Sequence, residues 1–215
     1  MKKLFFSTFT TLFSLVAFSQ THLYENPQFD EIAKGHEIIG IMPFKTSVTL
    51  RPKQMKEITP EQLDRMEKAE GEEIQLAMYS WFLKREKRGT LTVKVQNPSI
   101  SNAKMIKAGI TIENYEQYLP SELAKILEVD AIIMGTFQTN KPMSEGASIA
   151  LGVLFGAFGS TNKCVINLSI YNAEDSELLV NYHKAVSGSI GSSNEDLINK
   201  LMRKVSRRIA YTKQN

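Results

Sequence analysis

Apolar residues change their spacing several times along the chain, and each change marks an element. HEIIGIMPF (His36–Phe44) is a short, nearly continuous apolar run ended by Pro43, the pattern of a largely buried strand. Lys45–Ile58 is basic and without period, and reads as a loop. Thr59-Pro60-Glu61-Gln62 then places Thr at an N-cap, Pro at the first helical position and Gln at the third. Leu63, Met66, Ile74, Met78, Trp81 and Phe82 give this helix an apolar stripe, weakened around Glu70-Gly71. Lys84–Arg88 supply positive charge for its last turn, and Gly89 stops it.

TLTVKV (Thr90–Val95) alternates as a strand and is broken by Asn97-Pro98. Ser101–Ala108 predicts a short helix stopped by Gly109, and Ser121–Leu127 another after Pro120. DAIIMGTFQ (Asp130–Gln138) is a strong strand. KCVINLSIY (Lys163–Tyr171) and ELLVNYHKAV (Glu177–Val186) are two more, joined by a hairpin-like turn over Asn172–Ser176. The chain closes on a helix over Asn194–Tyr211, with a capping-box pattern at Ser193 and Asp196. Leu197, Ile198, Leu201, Val205 and Ile209 share one of its faces, while Lys200, Arg203, Lys204, Arg207 and Arg208 lie mostly off it. That basic face reads as a solvated helix surface or as a contact for anionic lipid or a partner. The order β-α-β-α-α-β-β-β-α, without internal repeats, predicts an α/β (α+β) domain: one mixed sheet of about five strands packed with helices.

The ends set the compartment. Lys2 and Lys3, the apolar stretch Leu4–Phe18 and Ala17-Phe18-Ser19 form a secretory signal peptide over residues 1–19, with Gln20 as the mature N-terminus. Residues 20–35 are polar and aperiodic and read as an N-terminal arm, leaving 36–215 as a single domain. Lys2 and Lys3 account for two of the 26 basic residues, so the exported chain carries 24 against 23 acidic ones. Such a balance predicts no electrostatic footprint for nucleic acid. The single cysteine, Cys164, leaves no intrachain disulfide, even in an oxidising compartment, and no lipid-acceptor cysteine stands near the cleavage site.

Three blocks together resemble the curli secretion channel (CsgG) family. They are LAKILEVDAIIMGTF (Leu123–Phe137), HEIIGIMPF, and VINLSIYNAEDSELLVNYHKAV (Val165–Val186) with its acidic turn. NAKMIKAGI (Asn102–Ile110) also sits where such proteins carry a short helix and glycine before the central strand. The resemblance spans about residues 36–210 in order of elements. It implies a non-enzymatic α/β unit used for assembly, secretion or docking in the bacterial envelope. The family's channel inserts two β-hairpins into the outer membrane. Here the second would fall on SGSIGSSN (Ser187–Asn194), too short for a membrane hairpin, so the resemblance is to the soluble domain.

Catalytic patterns are thin. Gly146-Ala147-Ser148-Ile149-Ala150 approaches a nucleophile elbow, and Asp175 and His183 follow in hydrolase order, which makes a small secreted serine hydrolase using Ser148 and His183 the alternative reading. Lys141-Pro142-Met143-Ser144 precedes the serine where the elbow needs a strand. His22, His36 and His183 lack metal-ligand spacing, and the glycine-rich segment lacks the Gly-Lys-Ser/Thr end of a phosphate loop. Neither metal nor cofactor is expected.

The longest apolar stretch is SEGASIALGVLFGAFGSTN (Ser144–Asn162), an insertion between the third and fourth strands of the expected sheet. It reads as a helix over 145–158, capped by Ser144 and stopped by Gly159, or as two short strands. A helix of that length spans about 20 Å, short of the hydrocarbon core. It covers a sheet face, or it meets a membrane or a second copy. Ile149, Leu151, Gly152, Val153, Leu154, Phe155, Gly156 and Phe158 are the expected contacts, with Gly152 and Gly156 allowing close backbone approach. The family's first membrane insertion occupies the same topological place. The expectation is an exported, non-catalytic envelope protein, periplasmic or associated with the outer membrane. Its expected partner is an envelope protein or another copy of itself, with contact to the outer-membrane surface through this segment a further expectation.

Overall fold

The computed structural model describes residues 21–140, 163–187 and 194–212, apart from the side chains of 194–196. At its centre is strand β5 (Ala131–Thr139), in a seven-stranded mixed sheet. On one side β6 (Lys163–Asn172) pairs antiparallel along the whole of β5, from Ala131 opposite Asn172 to Thr139 opposite Cys164. On the other side two short strands share the edge of β5, both parallel to it. They are β2 (Ile38–Ile41), beside Ala131–Ile133, and β3 (Lys45–Val48), beside Thr136–Thr139. Pro43 falls between them, where a missing backbone N–H removes no ladder bond. Beyond β2 lies β4 (Lys94–Val95), also parallel. Beyond β6 come β7 (Leu178–Ser187) and the edge strand β1 (Thr21–Glu25), both antiparallel.

Helices cover both faces near β5, which explains why Ala131, Ile132 and Ile133 are buried in succession. On one face lie α3 (Pro60–Lys87) and α6 (Asn194–Val205), packing Ile74, Met78, Phe82, Leu197 and Leu201 into the cluster of Phe137, Ile166, Leu168 and Tyr182. On the other lie α4 (Pro98–Lys107) and α5 (Pro120–Leu127), which close Met105, Leu123 and Leu127 with Met42 and Ile132. Each large apolar side chain so buried contributes roughly 1.5–3 kcal/mol before entropy is counted.

Helix α3 starts as its sequence predicts. The Thr59 hydroxyl accepts from Gln62 N–H, and the Gln62 side chain reaches back to Thr59 N–H at 2.8 Å. The weak point at Gly71 is a crossing. A Cβ there would lie 2.1 Å from the Phe44 carbonyl oxygen, and Phe44 N–H donates to Gly71 O at 3.3 Å. Glycine lets the long helix touch the backbone linking β2 to β3.

The mixed sheet with packed helices matches the expected class, with seven strands rather than about five. The extra strands have physical reasons for being hidden in the sequence. Residues 20–35, expected to be an arm, contain β1 and the short helix α1 (Phe29–Ile32). All five side chains of β1 are exposed, so backbone pairing with β7 holds it and no apolar alternation marks it. Lys45–Ile58, expected to be a loop, contains β3 and the helical turn α2 (Pro52–Met55). In β3, Thr46 and Val48 face inward between Lys45 and Ser47, too short a run to register as a period. The expected strand over Thr90–Val95 contracts to Lys94–Val95, with Leu91 making an isolated antiparallel bridge to Thr212.

Candidate functional site

Three connections leave the described residues at one end of the sheet. Parallel β3 and β5 both finish there, with Val48 opposite Thr139. Antiparallel β6 begins there and β7 ends there, with Lys163 opposite Ser187, while β1 begins nearby with Thr21 opposite Lys184. Asn140 closes the neck between β5 and β6. Its N–H donates to Lys163 O at 3.3 Å, and its Oδ1 accepts from Lys163 N–H at 2.9 Å. Residues 141–162 therefore depart and return at adjoining backbone positions, and residues 188–193 depart from the neighbouring strand. The expected contacts Ile149, Leu151, Gly152, Val153, Leu154, Phe155, Gly156 and Phe158 lie outside the described residues, as do Ser148, Ser193 and the signal peptide.

At the opposite end, polar side chains hold backbone. Asp130 Oδ2 accepts from Glu37 N–H at 2.8 Å and Ile38 N–H at 2.9 Å, which fixes the entry to β2 from the start of the neighbouring strand β5. Beside it, His36 Nδ1 meets the Tyr211 hydroxyl at 2.6 Å. Burial pushes the His36 pKa below its ordinary value, against the opposing pull of Asp130 and Asn172. Burial also pushes the Tyr211 hydroxyl up, and the Asp130 charge adds to it. In the β6–β7 turn, Asp175 Oδ1 accepts from Asn172 Nδ2 and from Glu177 N–H, each at 2.9 Å. Ser176, left-handed at φ 64°, offers its hydroxyl to Ser121 N–H in the first turn of α5.

Of the residues of the hydrolase alternative, Asp175 and His183 do not meet, and Ser148 lies outside the described residues. Asp175 is held in the turn, whereas His183 lies about 20 Å along β7, opposite His22 on β1 and Asn167 on β6. The two histidine rings are 6.1 Å apart on a polar sheet face, where Asn181 Nδ2 also donates to Ser169 Oγ at 3.0 Å. Cys164 is buried, and burial pushes its thiol up to about 12. Among the described residues no His, Cys, Asp and Glu cluster could hold a metal, and no helix is long and apolar enough to cross a membrane.

Hollows open on the described surface, three of them at distinct places. One of about 580 Å³, by α5 and the β6–β7 turn, is rimmed by Glu122, Glu128, Asp130 and Glu174. Another of about 270 Å³ is lined by Phe29, Lys34, His36 and Tyr211. The third, about 230 Å³ between α3 and α4, is lined by Pro43, Met105, Ile106 and Ile110. One grouping crosses elements that the sequence showed only separately. The basic last turn of α3 meets the basic end of α6, where Arg85 Nε donates to Ser206 Oγ at 3.3 Å and Arg85 Nη2 to Arg203 O at 3.4 Å.

No protein-family profile matches the chain, and no curated protein sequence matches it. Among solved structures it is similar to lipoprotein GNA1162 from Neisseria meningitidis, at 14% identity over 82% of this chain and 99% of that one, with a TM-score of 0.46. It is also similar to the PelC dodecamer from Paraburkholderia phytofirmans, at 8% identity over 87% and 94% of the two chains, with a TM-score of 0.44. The LpoB C-terminal domain from Salmonella enterica follows at 7% identity over 74% and 93%, with a TM-score of 0.33. Each likeness is distant.

Proposed function

We propose that this chain is an exported, non-catalytic component of the cell envelope that works by association, presenting residues 147–158 to a membrane surface or to a second copy of itself. The observation that supports this most is topological. The start of β1, both ends of segment 141–162 and the start of segment 188–193 attach at one end of the sheet. Twelve uncharged residues, Ala147–Phe158, are strung from that end, and they include two glycines four apart. Uniform apolarity suits a surface that a bilayer or a partner removes from water, because exposing it in isolation would be unfavourable. The leader-like residues 1–19 join the fold at the same end, which suits a chain delivered across the inner membrane and left with this end toward the envelope surface.

The two ends of the sheet provide the test. On a Cys164→Ala background, one cysteine replaces Ser187 at the attachment end and another replaces Glu174 in the β6–β7 turn at the far end. With liposomes or at concentrations that favour association, labelling at position 187 should be suppressed while position 174 stays reactive. Equal reactivity at both positions under all conditions would remove the proposed orientation.

A further inference from the structure

The ends of α3 and α6 form a cationic corner that makes no ion pair among the described residues. Arg85 is the buried member, 7% exposed, held by Ser206 Oγ and the Arg203 carbonyl. The carbonyl belongs to the last turn of α6, so the helix dipole offsets part of the Arg85 charge. The same dipole must also serve Arg203 in that turn and Arg207 just beyond it, while Arg88 caps α3 one turn after Arg85. Burial lowers the pKa of Arg85, and the charges of Arg88, Arg207 and Arg203 lower it further, in that order. Among the described residues the ion pairs join Lys45 to Glu116, Lys68 to Asp64 and Glu113, and Lys104 to Glu128. None involves this corner. Nη1 of Arg85 likewise has no hydrogen-bond acceptor among the described residues.

A near-neutral chain that gathers four arginines with no ion-paired carboxylate among the described residues invites an outside anion. Guanidinium forks match the paired oxygens of a phosphate, and several converging on one group give both charge and direction. The corner also has an apolar wall: Trp81 donates from Nε1 to Asn199 Oδ1 at 3.3 Å, and Lys84 Nζ lies 4.2 Å from its ring centre. We infer that Arg85, Arg88, Arg203 and Arg207 bind a phosphate group, with Arg85 as the fixed floor of the site and the three exposed arginines closing on the ligand. The phosphate is that of a soluble ester or of a lipid headgroup, and the test below separates the two. The site lies at the far end of α6 from the connection that follows β7, and it does not depend on the proposed role of segment 147–158.

Trp81, the only tryptophan in the chain, is a built-in reporter. Titration with inorganic pyrophosphate at constant ionic strength should change its fluorescence saturably. Arg88→Gln/Arg207→Gln, both exposed and outside the core, should weaken that response by roughly tenfold per arginine removed while leaving the thermal midpoint unchanged. Arg85→Lys tests the floor and should weaken binding even where the fold survives. Vesicles of phosphatidylcholine containing phosphatidic acid identify the source. Displacement of pyrophosphate by these vesicles, but not by phosphatidylcholine alone, makes it a headgroup, and lack of displacement makes it a soluble phosphate. A fluorescence change that follows ionic strength without saturating, or that persists equally in Arg88→Gln/Arg207→Gln, would overturn the site.

Discussion

The Phe44 carbonyl oxygen lies 2.1 Å from the point where a side chain on Gly71 would begin, so α3 crosses the β2–β3 link at a distance only glycine permits. The same Phe44 places its ring 2.5 Å from the position of a Cβ on Gly135, in the middle of β5. Two glycines on two elements thus enclose one aromatic residue. Mid-helix glycine costs about 0.5–1 kcal/mol in propensity, which this close packing offsets. Gly71→Ala should therefore destabilise the fold by about 1–3 kcal/mol or more, because the obstructing atom is backbone. Gly35→Ala, where nothing lies within 4 Å, is the control and should stay within about 0.5 kcal/mol in urea denaturation.

Glu128 ends α5 in the left-handed region, at φ 57°. Its carboxylate meets Lys104 Nζ at 2.7 Å, but the side chain is 78% exposed, and an exposed pair contributes little. Lys104 also donates to the Leu127 carbonyl at 2.6 Å, a contact that survives substitution. Glu128→Gly should raise stability by about 0.5–1 kcal/mol by relieving the backbone, measured as an upward shift of the urea midpoint. A fall would mean that the ion pair outweighs the strain.

Cys164 should resist thiol reagents in the folded protein, since its sulfur is buried and its thiol is pushed up to about 12. Labelling with an aromatic disulfide should be slow in buffer and rapid in denaturant. Fast labelling in buffer would show that the β5–β6 end opens on its own.

Acid should loosen the contact between His36 and Tyr211. The folded pKa of His36 is lowered, so the unfolded chain takes up its proton first, and the stability from this site is lost as pH falls below about 6.5. The urea midpoint of the native sequence should drop between pH 7.5 and 5.5 by more than that of His36→Gln. Parallel pH profiles for the two proteins would contradict the assignment.

What the sequence made legible follows from how strongly each element depends on its side chains. Thr59-Pro60 and Gln62 announced α3 because caps are chemical signals, and Ala131–Phe137 announced β5 because burial on both faces demands apolar residues. Strand β1 was invisible because backbone bonds alone hold it, and β3 because only Thr46 and Val48 turn inward. Asp130 stands in the sequence only as the start of a strand, because its bonds to Glu37 and Ile38 reach a neighbouring strand and have no local trace. The arginine corner escaped for the same reason: Arg85 and Arg203 are 118 positions apart and meet only through packing. The segment from Ile149 to Phe158 stood out by composition, and composition alone does not say which surface it meets.

Leu154→Asp tests the proposed role of that segment most directly, with Gly152→Leu as its companion. Association is read by liposome flotation and sedimentation velocity, and stability by the thermal midpoint of dilute monomer. If residues 147–158 form the contact surface, both variants should lose liposome binding or sediment as monomer, with the midpoint nearly unchanged. If they pack inside the domain, Leu154→Asp buries an unpaired charge at a cost of several kcal/mol. A collapsed midpoint with unaltered association would contradict the account.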